Sequence, residues 1–163
     1  MQFCMLPFFI EELSLFDIDR VLKIIKQENK RFVEPIVTTI SRERTPFHVL
    51  ISCLLSLRTR DQTTREASNR LFAVADNPED IMKIPAERLE KLIYPVGFYR
   101  TKARKIKEIC DVLIQTYQGK VPDEIDELLK LNGVGRKTAN LVVTLGYQKP
   151  GICVDTHVHR ITN

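Results

Sequence analysis

No tryptophan occurs in this chain, and none of its four cysteines stands in a CxxC pair. Cys4, Cys53, Cys110 and Cys153 are too scattered to frame a disulfide scaffold or a zinc site, so no metal-ligand set is expected. Cys53 and Cys110 fall inside apolar helical patterns, where a thiol behaves as a small buried hydrophobe. No apolar run is long enough to span a bilayer. Met1 to Ile10 is apolar, but it lacks a basic leader and runs straight into Glu11-Glu12, which reads as a ragged N-terminus and not as a signal peptide. A soluble, cytoplasmic protein of a reducing compartment is expected. Strand alternation, repeats and low-complexity tracts are missing too, which argues against β and solenoid folds. Charge of one sign is also lacking. With 25 Lys and Arg against 21 Asp and Glu, the net charge is +4, a balance that permits a nucleic-acid partner without demanding one.

What is present is helical periodicity in a chain of 163 residues, 44% of them apolar. Ile18, Val21, Leu22 and Ile25 mark an amphipathic helix over roughly 16–30. Thr45-Pro46, a cap followed by proline at the first helical position, opens a helix over 47–56. That helix is apolar nearly all round, which places it in the middle of the core. A more polar helix follows over about 61–75, with Ala67, Leu71 and Val74 facing inward. Asn77-Pro78 and Ile84-Pro85 start two short helices. Ile106, Ile109, Cys110, Leu113, Ile114 and Tyr117 form the clearest stripe, closed by Gly119. An acidic helix from Glu124 to Leu131 leads into a glycine turn, and Ala139 to Leu145 reads as a further buried helix. The fold class is all-α, with eight or nine short helices packed as a globule.

The turn is Gly133-Val134-Gly135, and Arg136-Lys137-Thr138 follows it. Glycines here permit positive φ and the close approach of another backbone. The next helix begins with N–H groups that lack intrahelical partners and suit a phosphate. Arg136 and Lys137 stand in that first turn, where the helix dipole disfavours cations. A local rule broken beside a glycine turn points to function, although a plain αα-hairpin with solvated cations fits this segment equally well.

Three further constellations bear on chemistry. Arg100, Lys102, Arg104, Lys105 and Lys107 form either the solvated face of a helix or a grip on phosphates, and Phe98 and Tyr99 at the preceding turn resemble an aromatic wedge beside cations. Arg58, Arg60 and Arg65 flank Asp61-Gln62, where Arg58 and Gln62 can read base edges or simply solvate a helix end. Asp155-Thr156-His157-Val158-His159 is not read as a metal site, because helical residues two apart face different ways. Asp155 is an N-cap candidate, and it is also a carboxylate that can fold back toward Lys137. An amine that attacks an electrophilic carbon must be available unprotonated. A helix N-terminus, a neighbouring guanidinium and partial burial all work in that direction.

Leu131-Asn132-Gly133-Val134-Gly135-Arg136-Lys137-Thr138-Ala139-Asn140, followed by Val154-Asp155-Thr156-His157, resembles the endonuclease III family of helix-hairpin-helix DNA glycosylases. The likeness takes in Leu54-Leu55-Ser56 with Asp61, Val96-Gly97-Phe98-Tyr99 with Lys102-Ala103, and Gly119-Lys120-Val121-Pro122. It implies a base-excision DNA glycosylase with AP lyase activity that removes oxidised pyrimidines. Lys137 is then the Schiff-base nucleophile and Asp155 its acidic partner. Gly133, Val134, Gly135, Arg136, Thr138, Arg58, Gln62 and Phe98 are the implied DNA contacts. Leu57-Arg58 stands where the family often has a glutamine.

The implied partner is double-stranded DNA with damaged bases or abasic sites, bound by a nucleoid-associated monomer with no membrane contact. Relatives continue to a four-cysteine loop holding a [4Fe-4S] cluster. The four cysteines here lack its spacing, so the chain is read as truncated and carrying no cofactor. The expected organisation is residues 1–32 as part of an incomplete second domain, 33–149 as a six-helix domain with the hairpin at about 124–145, and 150–163 as a connector carrying Asp155. The helix over 16–30 is then expected to expose apolar surface. The alternative function is a non-catalytic helix-hairpin-helix DNA-binding fragment.

Overall fold

The computed structural model describes residues 17–31, 37–38 and 45–162. The chain divides into two compact units, residues 1–34 and 35–163. In the first, α1 (Ile18–Glu28) is capped by the Asp17 carboxylate, which accepts from the Arg20 N–H at 3.0 Å. Ile18, Leu22 and Ile25 are each more than half exposed, and no described side chain of this helix is buried. The expectations for Cys4 and for the first ten residues lie outside the described residues.

The second unit is organised around α2 (Pro46–Ser56), in which every residue from Phe47 to Leu55 is buried. Its sequence explains this, since a helix apolar on all faces is stable only when surrounded. The others are α3 (Asp61–Phe72), α4 (Pro78–Lys83), α5 (Ala86–Ile93), α6 (Tyr99–Tyr117), α7 (Ile125–Leu129), α8 (Arg136–Leu141) and α9 (Thr156–Thr162). Among the described residues there is no strand. Helices α3, α6 and α8 pack directly on α2. The stripe on α6 faces the core, with Ile106, Ile109, Cys110 and Leu113 at 1% exposure or less.

Local chemistry sets most boundaries. Asn77 caps α4 by accepting the Asp80 N–H at 2.8 Å. Helix α6 ends at Gln118 and Gly119, both left-handed, with the Gly119 N–H returning to the Leu113 carbonyl. Three boundaries differ from the sequence reading. Helix α3 stops at Phe72, so Val74 lies beyond it and is exposed. Thr45 precedes α2 as expected, but its hydroxyl pairs with His48 Nδ1 at 2.7 Å instead of capping a backbone N–H. The last hairpin helix widens after Leu141 into a π turn over Val142–Gly146. There Gly146 lies against Pro46, so close that a Cβ would stand 3.1 Å from the proline Cα.

Candidate active site

The hairpin is α7, a turn, and α8. Gly133 takes the left-handed conformation at φ +91. Gly135 does not; at φ −97 and ψ 174 it is extended. A Cβ on Gly135 would meet nothing within 4 Å, whereas one on Gly133 would crowd the Lys105 side chain at 3.2 Å. The two glycines therefore do different work: Gly133 makes the turn possible, and Gly135 keeps its outer surface flat. Val134 and Thr138 are buried at 6% and 4% exposure. Their side chains hold the hairpin to the core, and the Val134 N–H closes the turn on the Leu131 carbonyl at 3.0 Å. Outward contacts are left to Gly133, Gly135 and Arg136, all exposed.

Lys137 begins the outer face of α8. Its Nζ lies 3.4 Å from Asp155 Oδ2, with both side chains part-exposed. The other carboxylate oxygen of Asp155 accepts the Val158 N–H at 2.9 Å, capping α9. The two roles open to Asp155 from sequence are thus held at once, one by each oxygen. The cap fixes the carboxylate, and the carboxylate aims at the amine. Lys137 also borders a depression of about 270 Å³ lined by Cys53, Ser56, Leu57, Asp61 and Thr138. The Cys153 thiol donates to the Lys137 carbonyl at 3.8 Å, and burial raises its pKa above the ordinary thiol value. The His157 side chain falls outside the described residues. Among those described, no three His, Cys, Asp or Glu residues gather as a metal site would require.

Arg58 and Phe98 meet on another edge. Both are left-handed, at φ 52 and 58, an uncommon state for residues with side chains. The Arg58 guanidinium stands 5.8 Å from the centre of the Phe98 ring, and Phe98 is 64% exposed. A groove of about 390 Å³ runs from this pair past Leu57 and Lys105 to Gly133. Leu57 lines both this groove and the depression at Lys137, so the two edges are neighbours. Gln62 is not drawn in: its amide donates to the Glu66 carboxylate at 2.7 Å on the exposed face of α3. Tyr99, grouped with Phe98 as an aromatic wedge, is half-buried and stands edge-on to Tyr94 at 5.4 Å.

The largest departure is Lys102. Read as part of a solvated or phosphate-gripping stretch, it is 8% exposed and turned inward. Its ammonium donates to the Leu55 carbonyl at 2.8 Å, the Leu57 carbonyl at 2.5 Å and Thr59 Oγ1 at 3.2 Å. The signal was present in the sequence: Lys102 lies four and seven residues before Ile106 and Ile109, on the buried stripe of α6. Burial pushes its pKa down to about 8.

The helical fold, the glycine hairpin and the Lys137–Asp155 pair all lie in one stretch of the chain that matches a class of DNA repair proteins. The chain belongs to it: residues 51–163 match the HhH-GPD superfamily of base excision DNA repair proteins. Within that class it is similar to endonuclease III. It is 53% identical over 122 residues to the Thermotoga maritima protein of that name, covering 75% of this chain and 57% of that one. Among solved structures it resembles a non-covalent endonuclease III–DNA complex, with TM-score 0.75 and 38% identity over 91% of this chain and 69% of that one. A trapped endonuclease III–DNA covalent intermediate, in an estranged-adenine complex, gives TM-score 0.73 at 37% identity, with the same shares covered. The chain thus spans little more than half the length of the Thermotoga relative.

Proposed function

We propose that the chain carries the catalytic part of a bifunctional DNA glycosylase/AP lyase acting on oxidised pyrimidines in duplex DNA. One observation carries this reading: the Lys137 amine faces the Asp155 carboxylate at 3.4 Å at the mouth of a depression. Simple phosphate binding by a hairpin requires neither group. In the reaction the Lys137 Nζ lone pair attacks C1′ of an extruded nucleotide, and the C1′–N bond breaks with its electron pair leaving on the base, which takes up a proton. Asp155 stabilises the positive charge that develops on the sugar. Opening of the ring at C1′–O4′ then yields the Schiff base. Loss of a C2′ proton and departure of the 3′ phosphate cut the strand by β-elimination.

Gly133, Gly135 and Arg136 grip the backbone, while Arg58 and Phe98 fill the space that the flipped nucleotide vacates. We assign Val134 and Thr138 a supporting role beneath that grip, and Gln62 none. The protein acts as a monomer. Among the described cysteines, Cys53 and Cys110 do not suit an iron–sulfur cluster, being enclosed on α2 and α6. Burial pushes both thiols up to about 12, and iron binds the thiolate, which such a site disfavours.

The test is borohydride trapping with duplexes carrying an abasic site or thymine glycol. The chain as given forms a covalent adduct, and Lys137→Gln forms none. Binding without any adduct would replace this reading with the non-catalytic DNA-binding fragment.

A further inference from the structure

Lys102 is a buried ammonium that serves no described carboxylate. Its three acceptors are the last-turn carbonyl of α2, the Leu57 carbonyl just past that helix, and the Thr59 hydroxyl. Thr59 is the second half of the arrangement. The same oxygen accepts the Gly97 N–H at 3.1 Å, and Thr59 Oγ1 also lies 3.3 Å from the Leu57 carbonyl. The loop 57–59 carries Arg58, and the turn 95–98 carries Phe98. A lysine, a hydroxyl and one backbone amide thus join the two loops whose left-handed residues make the exposed edge.

Gly97 completes the join. A Cβ there would stand 2.6 Å from the Arg58 carbonyl oxygen, closer than any real contact allows, so the two backbones touch. From the other side, the Arg70 guanidinium holds the Leu92 carbonyl at 2.9 Å and also the Tyr94 carbonyl. The turn is therefore anchored at both ends.

We propose that Lys102 is the positioning residue of the DNA-parting edge, tying loop 57–59 to turn 95–98 so that Arg58 and Phe98 meet the duplex as one preset pair. This rests on reading the exposed edge as the part that enters DNA. Lys102 touches no nucleotide in this account and acts through the residues it fixes. Stability alone does not explain it. Taking a charge out of water without a counter-ion is unfavourable, and an apolar side chain of similar length often serves a core as well or better. The charged groups around it offer no relief: Arg58 comes from the loop and Lys105 from the next turn of α6, and both line the groove that Lys102 borders. What the ammonium gives that a methionine cannot is three donors on one atom, matched here by three acceptors at the junction. A preset wedge makes the ordering of two loops part of folding, so that it need not be supplied at the moment of binding.

Two measurements test this on the chain as given. In Lys102→Met, hydrogen exchange of the Gly97 amide accelerates about tenfold or more beyond any change at the α2 core amides. An unchanged Gly97 rate, or equal acceleration throughout the core, overturns the proposal. The second compares borohydride trapping on an abasic site in duplex DNA and in a single strand, which has no partner to displace. The duplex-to-single-strand ratio of adduct rates falls about tenfold in Lys102→Met. A ratio equal to that of the unsubstituted chain overturns the proposal, whether or not both rates drop together. Thr59→Val removes the shared hydroxyl with little change of shape, and it moves the ratio and the Gly97 amide in the same direction. If the unsubstituted chain gives no adduct with either DNA, the glycosylase reading fails, and the Gly97 exchange rate still decides the clamp.

Discussion

Two edges of the larger unit are built on opposite principles. The Arg58–Phe98 edge is bound into the core by a lysine at 8% exposure, a shared hydroxyl and a glycine that no other residue can replace without displacing a carbonyl. The Lys137 edge carries an ion pair at 3.4 Å between side chains that are 49% and 29% exposed. An exposed pair of that kind contributes little to stability, about 0–1 kcal/mol. In the proposed function the edge that enters the stack is thereby tied to the core, whereas the proposed nucleophile faces a carboxylate that also caps a helix. Substitutions on the two sides should therefore separate: on one, chemistry is lost while the fold stays; on the other, geometry and stability fall together.

The largest effect belongs to Lys137→Gln. Removal of the proposed nucleophile lowers adduct formation and strand cutting by at least about 10³-fold, while thermal unfolding stays close to that of the unsubstituted chain. A drop in melting temperature as large as that of a core substitution would show that the amine is structural and erase the contrast. Next comes Asp155. Asparagine is as good an N-cap as aspartate, so Asp155→Asn keeps the Val158 contact and removes only the charge. Its single-turnover rate on an abasic duplex should fall about 10²-fold, in line with loss of one preorganised electrostatic group. Asp155→Ala should add a loss of about 1 kcal/mol in stability, the usual value of a cap. Equal rates for Asp155→Asn and the unsubstituted chain would leave the aspartate as a cap alone.

On the other edge, Gly97→Ala places a Cβ 2.6 Å from the Arg58 carbonyl. Since the partner atom is backbone, the loops must part, and the loss should be about 1–3 kcal/mol in denaturant unfolding. Duplex binding should weaken with it. An alanine variant as stable as the parent would mean that the two loops are not fixed to one another.

The same division governs what could be read from the sequence. The helix order, the fully apolar α2, the glycine hairpin and the approach of Asp155 to Lys137 were all legible, because each rests on short-range pattern or on one fold-back of 18 residues. What escaped was contact between segments far apart in the chain. Lys102 sits among arginines and lysines, and charge counting put it in solvent. Its register with Ile106 and Ile109 places it on the buried stripe, and a charge run does not display that register. Gly97 looked like an ordinary turn glycine, yet its constraint is the Arg58 carbonyl some 39 positions earlier. Motif membership groups Thr138 and Val134 with the DNA contacts, whereas the side chains of both turn into the core, Val134 from the turn and Thr138 from the inner face of α8. Charge type and motif membership both mislead where burial decides.

The smallest effect is a pH dependence, and it discriminates most sharply between a buried ammonium and a surface one. Burial pushes Lys102 down to about 8, whereas the unfolded chain holds that proton up to about 10.4. Between those values the unfolded state binds more protons, so stability rises with pH. The contribution is complete above the unfolded value and is lost as pH falls through about 8. Its size is about 1–2 kcal/mol after allowance for water reaching the part-open groove. Other groups titrate in the same range, so the quantity to follow is the difference between the unsubstituted chain and Lys102→Met in denaturant unfolding from pH 7 to 10. The difference should grow in favour of the lysine as pH rises. A flat difference would return Lys102 to the solvated or phosphate-gripping stretch of the sequence reading, and the two edges of the molecule would then no longer differ in kind.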